Sequence, residues 1–320
     1  MTEVERSGVL LMTYGSPSSL EREDIRAYLR RVRGGREPDP ELVDEFTRRY
    51  HVIGGSPLVE ITRDQAAALA DSLGWPVEVG MRFSEPWIET GLRALAEAEV
   101  RDVAAIILSP QYSPLLMSGY AHAIGEAQRA LDAAAPKVSV AGAWHEEHEF
   151  ISALARRVIE ALGRLAPDVH DATTVLMTAH SLPRRVAEQE PVYLAQLRAT
   201  AEAVAVGAGL SDRQWSFCWQ SAGHEPGEWM KPDFADLMPE IAAGGGRSVL
   251  VAPVQFLADH LEILYDVDIG AREQAERHGL VFNRIESLNT DCGLIEAMAA
   301  VARRTLREAD TVGIGSLATR

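Results

Sequence analysis

Two stretches of this chain read almost alike. Val9-Leu10-Leu11-Met12-Thr13-Tyr14-Gly15-Ser16-Pro17 parallels Val175-Leu176-Met177-Thr178-Ala179-His180-Ser181-Leu182-Pro183. Each is an apolar run of strand length, closed by Thr, a polar or aromatic side chain, and a Pro that turns the chain away from helix. A second pair, Ile106-Ile107-Leu108-Ser109-Pro110-Gln111-Tyr112 and Leu250-Val251-Ala252-Pro253-Val254-Gln255-Phe256, follows in the same order. Such an echo predicts two similar α/β halves with their strand ends turned toward one cleft. Independent convergence of strand and loop chemistry is the alternative.

Amphipathic helices alternate with the strands throughout, which reads as parallel α/β. The 320 residues suffice for two domains of ordinary size. The division predicted is 1–165 and 166–320, with the last helix packing back on the first half. Strands are expected at 8–12, 77–81, 103–108, 138–143, 174–177, 215–219, 248–253 and 281–285. The long helix 150–162 closes the first half, a helix opening near His260 spans 261–276, and the last helix covers 293–308. The tail 310–320 has little pattern and is expected to be disordered.

A net charge of −16 argues against nucleic acid or an anionic membrane as the main partner and tolerates cationic metals. The two cysteines, Cys218 and Cys292, cannot supply a four-thiolate cluster or zinc site and fit a reducing cytosol. Met1 to Gly8 lacks the apolar core of a signal peptide, and no apolar run approaches the ~20 residues of a membrane span. A cytoplasmic protein is expected.

His180 falls at the carboxyl end of a strand, where open α/β sheets bind ligands, and a His there can exchange protons near neutral pH or ligate a metal. A hydrogen-bonded loop histidine is the plainer reading. Ala258-Asp259-His260-Leu261-Glu262-Ile263-Leu264-Tyr265-Asp266 follows another strand end. Glu262 and Asp266, four apart, share a helix face and suit a hydrated divalent cation; a solvated face is the alternative. Apolar neighbours around Glu262 point to burial, which would raise its pKa. His260 fits a structural role, bonding the loop backbone. His145-Glu146-Glu147-His148-Glu149 reads as a solvated helix start and Gly244-Gly245-Gly246 as a flexible turn, since neither a dinucleotide fingerprint nor a lysine-bearing phosphate loop is present.

Taken together, these residues resemble the ferrochelatase family. Thr178 to Pro183 is similar to its Ser-Ala-His-Ser-Leu-Pro signature and Ala258 to Glu262 to its acidic motif. Ile53-Gly54-Gly55-Ser56-Pro57-Leu58, Trp219-Gln220-Ser221 and Ser287-Leu288-Asn289 match in order, so the resemblance spans Gly8 to about Val301. It implies two Rossmann-like domains, each a parallel sheet flanked by helices, around a porphyrin cleft. It also implies insertion of ferrous iron, a substrate, into a porphyrin for haem biosynthesis. Carried over, His180 and Glu262 are the catalytic and metal-holding pair. Tyr14 matches the tyrosine of coproporphyrin III enzymes from Gram-positive bacteria, and Arg33, Arg49, Tyr50, Ser56 and Tyr120 are the remaining substrate-binding candidates. The same chemistry on protoporphyrin IX, a related cobalt chelatase and a non-catalytic tetrapyrrole carrier are the rivals. The acidic helix of some relatives carries a further Glu where this chain has Gly270. No cofactor is expected to be permanently bound, and two cysteines exclude the four-cysteine [2Fe-2S] cluster of some relatives. A monomer in transient contact with neighbouring haem-pathway enzymes is expected.

Overall fold

A computed structural model describes residues 7–223 and 227–317. The expectations for Met1–Arg6 and for 318–320 lie outside the described residues. In chain order the elements begin β1 (Ser7–Thr13), α1 (Arg22–Val32), α2 (Pro40–Val52), α3 (Leu58–Leu73), β2 (Val77–Met81), α4 (Ile88–Glu97), β3 (Asp102–Ile107), α5 (Pro114–Leu131) and β4 (Lys137–Val140). There follow α6 (His148–Gly163), α7 (Pro167–His170), β5 (Thr173–His180), α8 (Arg184–Ala187), α9 (Pro191–Gly207), β6 (Trp215–Gln220), α10 (Phe234–Ala243) and β7 (Ser248–Pro253). A π-helix (Glu262–Ala271), α11 (Arg272–Arg277), β8 (Val281–Arg284) and α12 (Cys292–Leu317) complete the chain.

The chain forms two compact units, one of Met1–Trp144 with Asn289–Arg320 and one of His145–Leu288. Each holds a four-stranded parallel sheet, in the order β2-β1-β3-β4 and β6-β5-β7-β8. The two orders are the same when β1 is matched to β5 and β3 to β7, the two pairs that echo in the sequence. Central strands covered by helices on both faces need continuous apolar runs, and Val9, Leu10, Leu11 and Met12 in β1 and Val249 to Ala252 in β7 are wholly buried.

The boundary between units lies before α6, not at 165/166. Helix α6 turns Phe150, Leu154 and Val158 inward and packs on α9, so its apolar stripe belongs to the second unit. Helix α12 packs on α3 and β3 of the first unit. It also runs on to Leu317, past the end expected at 308, because no Pro interrupts the chain after Cys292. No helix among the described residues is long and apolar enough to cross a membrane.

Candidate functional site

In the second unit, His180 is the last residue of β5, paired in register with Gln220 of β6. Its backbone N–H donates to Gln255 Oε1 at 2.7 Å, and Gln255 Nε2 donates to the Tyr193 hydroxyl at 2.5 Å. Thr178 donates to Gln220 Oε1 at 2.6 Å, so the ends of β5 and β6 are tied by side chains as well as by the ladder. The imidazole Nδ1 lies 2.5 Å from the Ser181 carbonyl. A carbonyl only accepts, so Nδ1 carries a proton, and in the neutral imidazole Nε2 holds the lone pair.

That lone pair lies 3.6 Å from Glu262 Oε2. Oε2 is buried and has no hydrogen-bond partner. The separation is too long for a direct hydrogen bond. Two acceptor atoms brought this close, one of them desolvated, make a seat for a proton or a cation. Both side chains remain about one-third exposed, at 33% and 30%, so the seat is open to solutes.

Glu262 opens the π-helix, where the sequence suggested an ordinary α-helix. Arg272, which ends it, donates its N–H to the Val267 carbonyl five residues back. The wholly buried residues Ile263, Val267, Ala271 and Ala275 recur every fourth position. A four-residue step overshoots the 3.6-residue α turn and falls short of the wider π turn, so the row passes from the π-helix into α11 without leaving the core. Glu262, Asp266 and Gly270 follow the same four-residue step one position earlier. A Cβ on Gly270 would meet nothing closer than the Tyr265 carbonyl at 3.7 Å, so packing does not forbid a side chain there. His260 lies over Phe256 with ring centroids 4.8 Å apart, and its Nδ1 is 3.1 Å from the Ala258 carbonyl. Burial pushes its pKa down and favours neutral imidazole, in keeping with a structural role.

In the first unit, Tyr14 follows β1 and is 44% exposed, its ring edge-on to Phe83 at 4.6 Å. The turn that presents it needs Gly15, whose φ is +94° and whose carbonyl accepts from the Tyr28 hydroxyl at 2.9 Å. Tyr120 is buried in the core with Met12, Ile107 and Ile124, and burial raises its pKa far above the usual tyrosine value. Arg33 ends α1 half-buried, with a buried Nε that has no hydrogen-bond partner. Tyr50 is buried within α2. Ser56 Oγ accepts from the Leu58 N–H at 3.4 Å, at the start of α3.

Arg49 lies over Phe46 and donates from Nε to Glu45 Oε1 at 2.8 Å. Hydrogen bonds from Arg48, joined by Arg49, hold the Glu45 carboxyl down to about 2. A depressed carboxylate stabilises the fold above its ordinary value of 4.5, and that contribution is lost as pH falls through about 2. NMR titration of the Glu45 carboxyl is expected to find it ionised at pH 4, with Arg49 still held; a midpoint near 4.5 would contradict this pairing.

Sequence reasoning missed Arg82, just past β2. Its guanidinium lies over Phe83 at 4.7 Å and over Tyr120 at 5.4 Å, which joins it to the Tyr14 cluster. Half-buried, it pairs with no carboxylate among the described residues. Gly119 makes room for it, since a Cβ there would overlap the guanidinium. The signal was present as Met81-Arg82-Phe83 at a strand's carboxyl end, the same kind of position that singled out His180.

The sequence as a whole matches the ferrochelatase family over residues 6–306. A ferrochelatase of Deinococcus radiodurans is 37% identical over 96% of this chain and 98% of its own. A coproporphyrin III ferrochelatase of a Geobacillus strain is 32% identical over 95% of this chain and 99% of its own. The solved structure of SirB from Bacillus subtilis with Fe3+ superposes with a TM-score of 0.59 at 12% identity, covering 96% of this chain and 98% of that one, a likeness of fold. With the family matched along nearly its whole length, the chain belongs to the ferrochelatase family, the enzymes that insert ferrous iron into a porphyrin.

Proposed function

We propose that this chain inserts ferrous iron into coproporphyrin III, with His180 and Glu262 as the pair that receives the metal and removes the pyrrole protons. The observation that carries the reading is His180 Nε2 facing a buried Glu262 oxygen that has no hydrogen-bond partner, at 3.6 Å. Ligand arms of about 2.1 Å meeting at a tetrahedral angle put their donor atoms about 3.4 Å apart, so the observed spacing suits one ion held by both. Metallation releases two protons from the macrocycle. As the ion passes to the ring, the Nε2 lone pair that held it is freed to take one of the two protons, with Nδ1–H still on the Ser181 carbonyl, and the second leaves through the Glu262 carboxylate to solvent. Iron and porphyrin both arrive as substrates, and the reading requires no resident cofactor.

The choice of coproporphyrin rests on its four propionates and on the first unit's donors. Tyr14 occupies the position of the tyrosine in the coproporphyrin enzymes that the sequence resembles. Arg33 and Arg82 are cations with donor groups left over, and a guanidinium matches a carboxylate with two parallel hydrogen bonds. Relatives named coproporphyrin III ferrochelatase favour the same substrate. Protoporphyrin IX is the second reading, because the Deinococcus relative carries the unqualified name. Anaerobic assays with ferrous iron, following both porphyrins by absorbance, are expected to give the higher kcat/KM on coproporphyrin III; a higher value on protoporphyrin IX overturns the substrate assignment and leaves iron insertion standing.

Gly119→Ala tests the Arg82 role. The added methyl displaces the guanidinium at little cost to the fold, because the clash is with the end of a flexible side chain. Loss of one charge-assisted contact is expected to raise KM for coproporphyrin by about tenfold, with kcat little changed. An unchanged KM would remove Arg82 from the binding set.

A further inference from the structure

A ten-residue π-helix is unusual, since such turns commonly occur singly within α-helices and have poorer hydrogen-bond geometry. Something outside the segment must hold it in that form. The contacts around Arg284, the last residue of β8, are suited to that task. Its Nε and Nη2 donate to the two oxygens of Asp268, at 2.7 and 3.0 Å, a bidentate contact to the body of the π-helix. Its Nη1 donates to Ser287 Oγ at 3.1 Å and to the Ile285 carbonyl at 3.0 Å. Ser287 in turn donates to Asp259 Oδ1 at 2.7 Å, and Nη1 lies 3.4 Å from that same oxygen. Asp259 stands just before the π-helix. One guanidinium therefore grips the chain on both sides of Glu262.

The anchor itself is rigid. Arg284 pairs in register with Val251 of β7, and the Ile285 N–H bonds the Val251 carbonyl at 3.0 Å. Arg284, Asp259 and Asp268 side chains are 14%, 23% and 25% exposed, so water replaces these contacts poorly. We infer that Arg284 is a positioning residue that fixes the register of the π-helix and thereby sets the Glu262 carboxylate opposite His180 Nε2. The functional half of this inference rests on the role proposed above for Glu262; the structural half does not.

The test compares the full-length wild type with Arg284→Gln, Arg284→Lys and Glu262→Gln by amide hydrogen exchange and by iron-insertion kinetics. Arg284→Gln is expected to speed exchange within 262–271 at least tenfold relative to β5 and β7. It should raise KM for ferrous iron at least tenfold, with KM for the porphyrin unchanged. Arg284→Lys keeps the charge without the fork and should fall between. If Arg284→Gln does not fold, Asp268→Asn cuts the same bidentate contact and is expected to show the same pattern more weakly. Exchange within twofold of wild type across 262–271, with an unchanged KM for iron, overturns the clamp. Faster exchange in Arg284→Gln beside full activity in Glu262→Gln supports the clamp on the helix and overturns the reading of Glu262.

Discussion

Replacing His180 with alanine is expected to lower iron insertion by about 10²–10⁴-fold, the usual contribution of a positioned general base, while porphyrin binding and the fold survive. The imidazole is one-third exposed, so its removal opens no core cavity. What fixes this strand end is the backbone: the 180 N–H on Gln255 and the Ser181 N–H on the Gln220 carbonyl at 2.7 Å. Both contacts outlast the substitution. Anaerobic single-turnover measurements, with porphyrin binding followed separately by fluorescence quenching, separate the chemical step from affinity. A variant that still inserts iron within tenfold of the wild-type rate would remove His180 from the reaction. Equal porphyrin binding with no insertion in the wild type itself would instead favour a tetrapyrrole carrier.

Ile263→Ala carries the largest expected cost in stability. Ile263 is wholly buried beside Glu262, in a core cluster with Leu176, Met238 and Val251. Truncating such a side chain removes its transfer energy and leaves a cavity, about 2–5 kcal/mol together. The loss falls on the second unit, so amide exchange of β5 and β7 under native conditions reads it more cleanly than a single melting curve of a two-unit chain. A loss below about 1 kcal/mol would mean that the inner face of the π-helix collapses onto the core without strain. Iron insertion should fall as well, because the same side chain anchors the turn that carries Glu262.

Much of this was legible in the residues. The echo between Val9–Pro17 and Val175–Pro183 lies on equivalent strands of two sheets with one topology, because a buried parallel strand tolerates little besides an apolar run. His180 and Glu262 could be singled out since each stands at a strand's carboxyl end or the helix start that follows it. The family resemblance named them as a pair, but their 3.6 Å spacing was not visible in the residues, because it depends on two segments some eighty residues apart. The π-helix was hidden for another reason: a four-residue apolar step is close enough to 3.6 to pass for an α-helix. Arg82 and Arg284 were missed because an arginine on a half-polar strand end looks like a surface charge until its partners are seen. The short helices α7 and α8 carry too few residues for any period to register, and the unit boundary moved because α6 is amphipathic whichever sheet it serves.

The central claim is that the metal is received between His180 Nε2 and Glu262 Oε2. Anomalous diffraction from crystals soaked anaerobically with ferrous or cobaltous ion tests it directly. The account predicts a peak about 2.0–2.2 Å from both atoms, lost in Glu262→Gln. A fully active enzyme whose bound ion lies away from both side chains would contradict it.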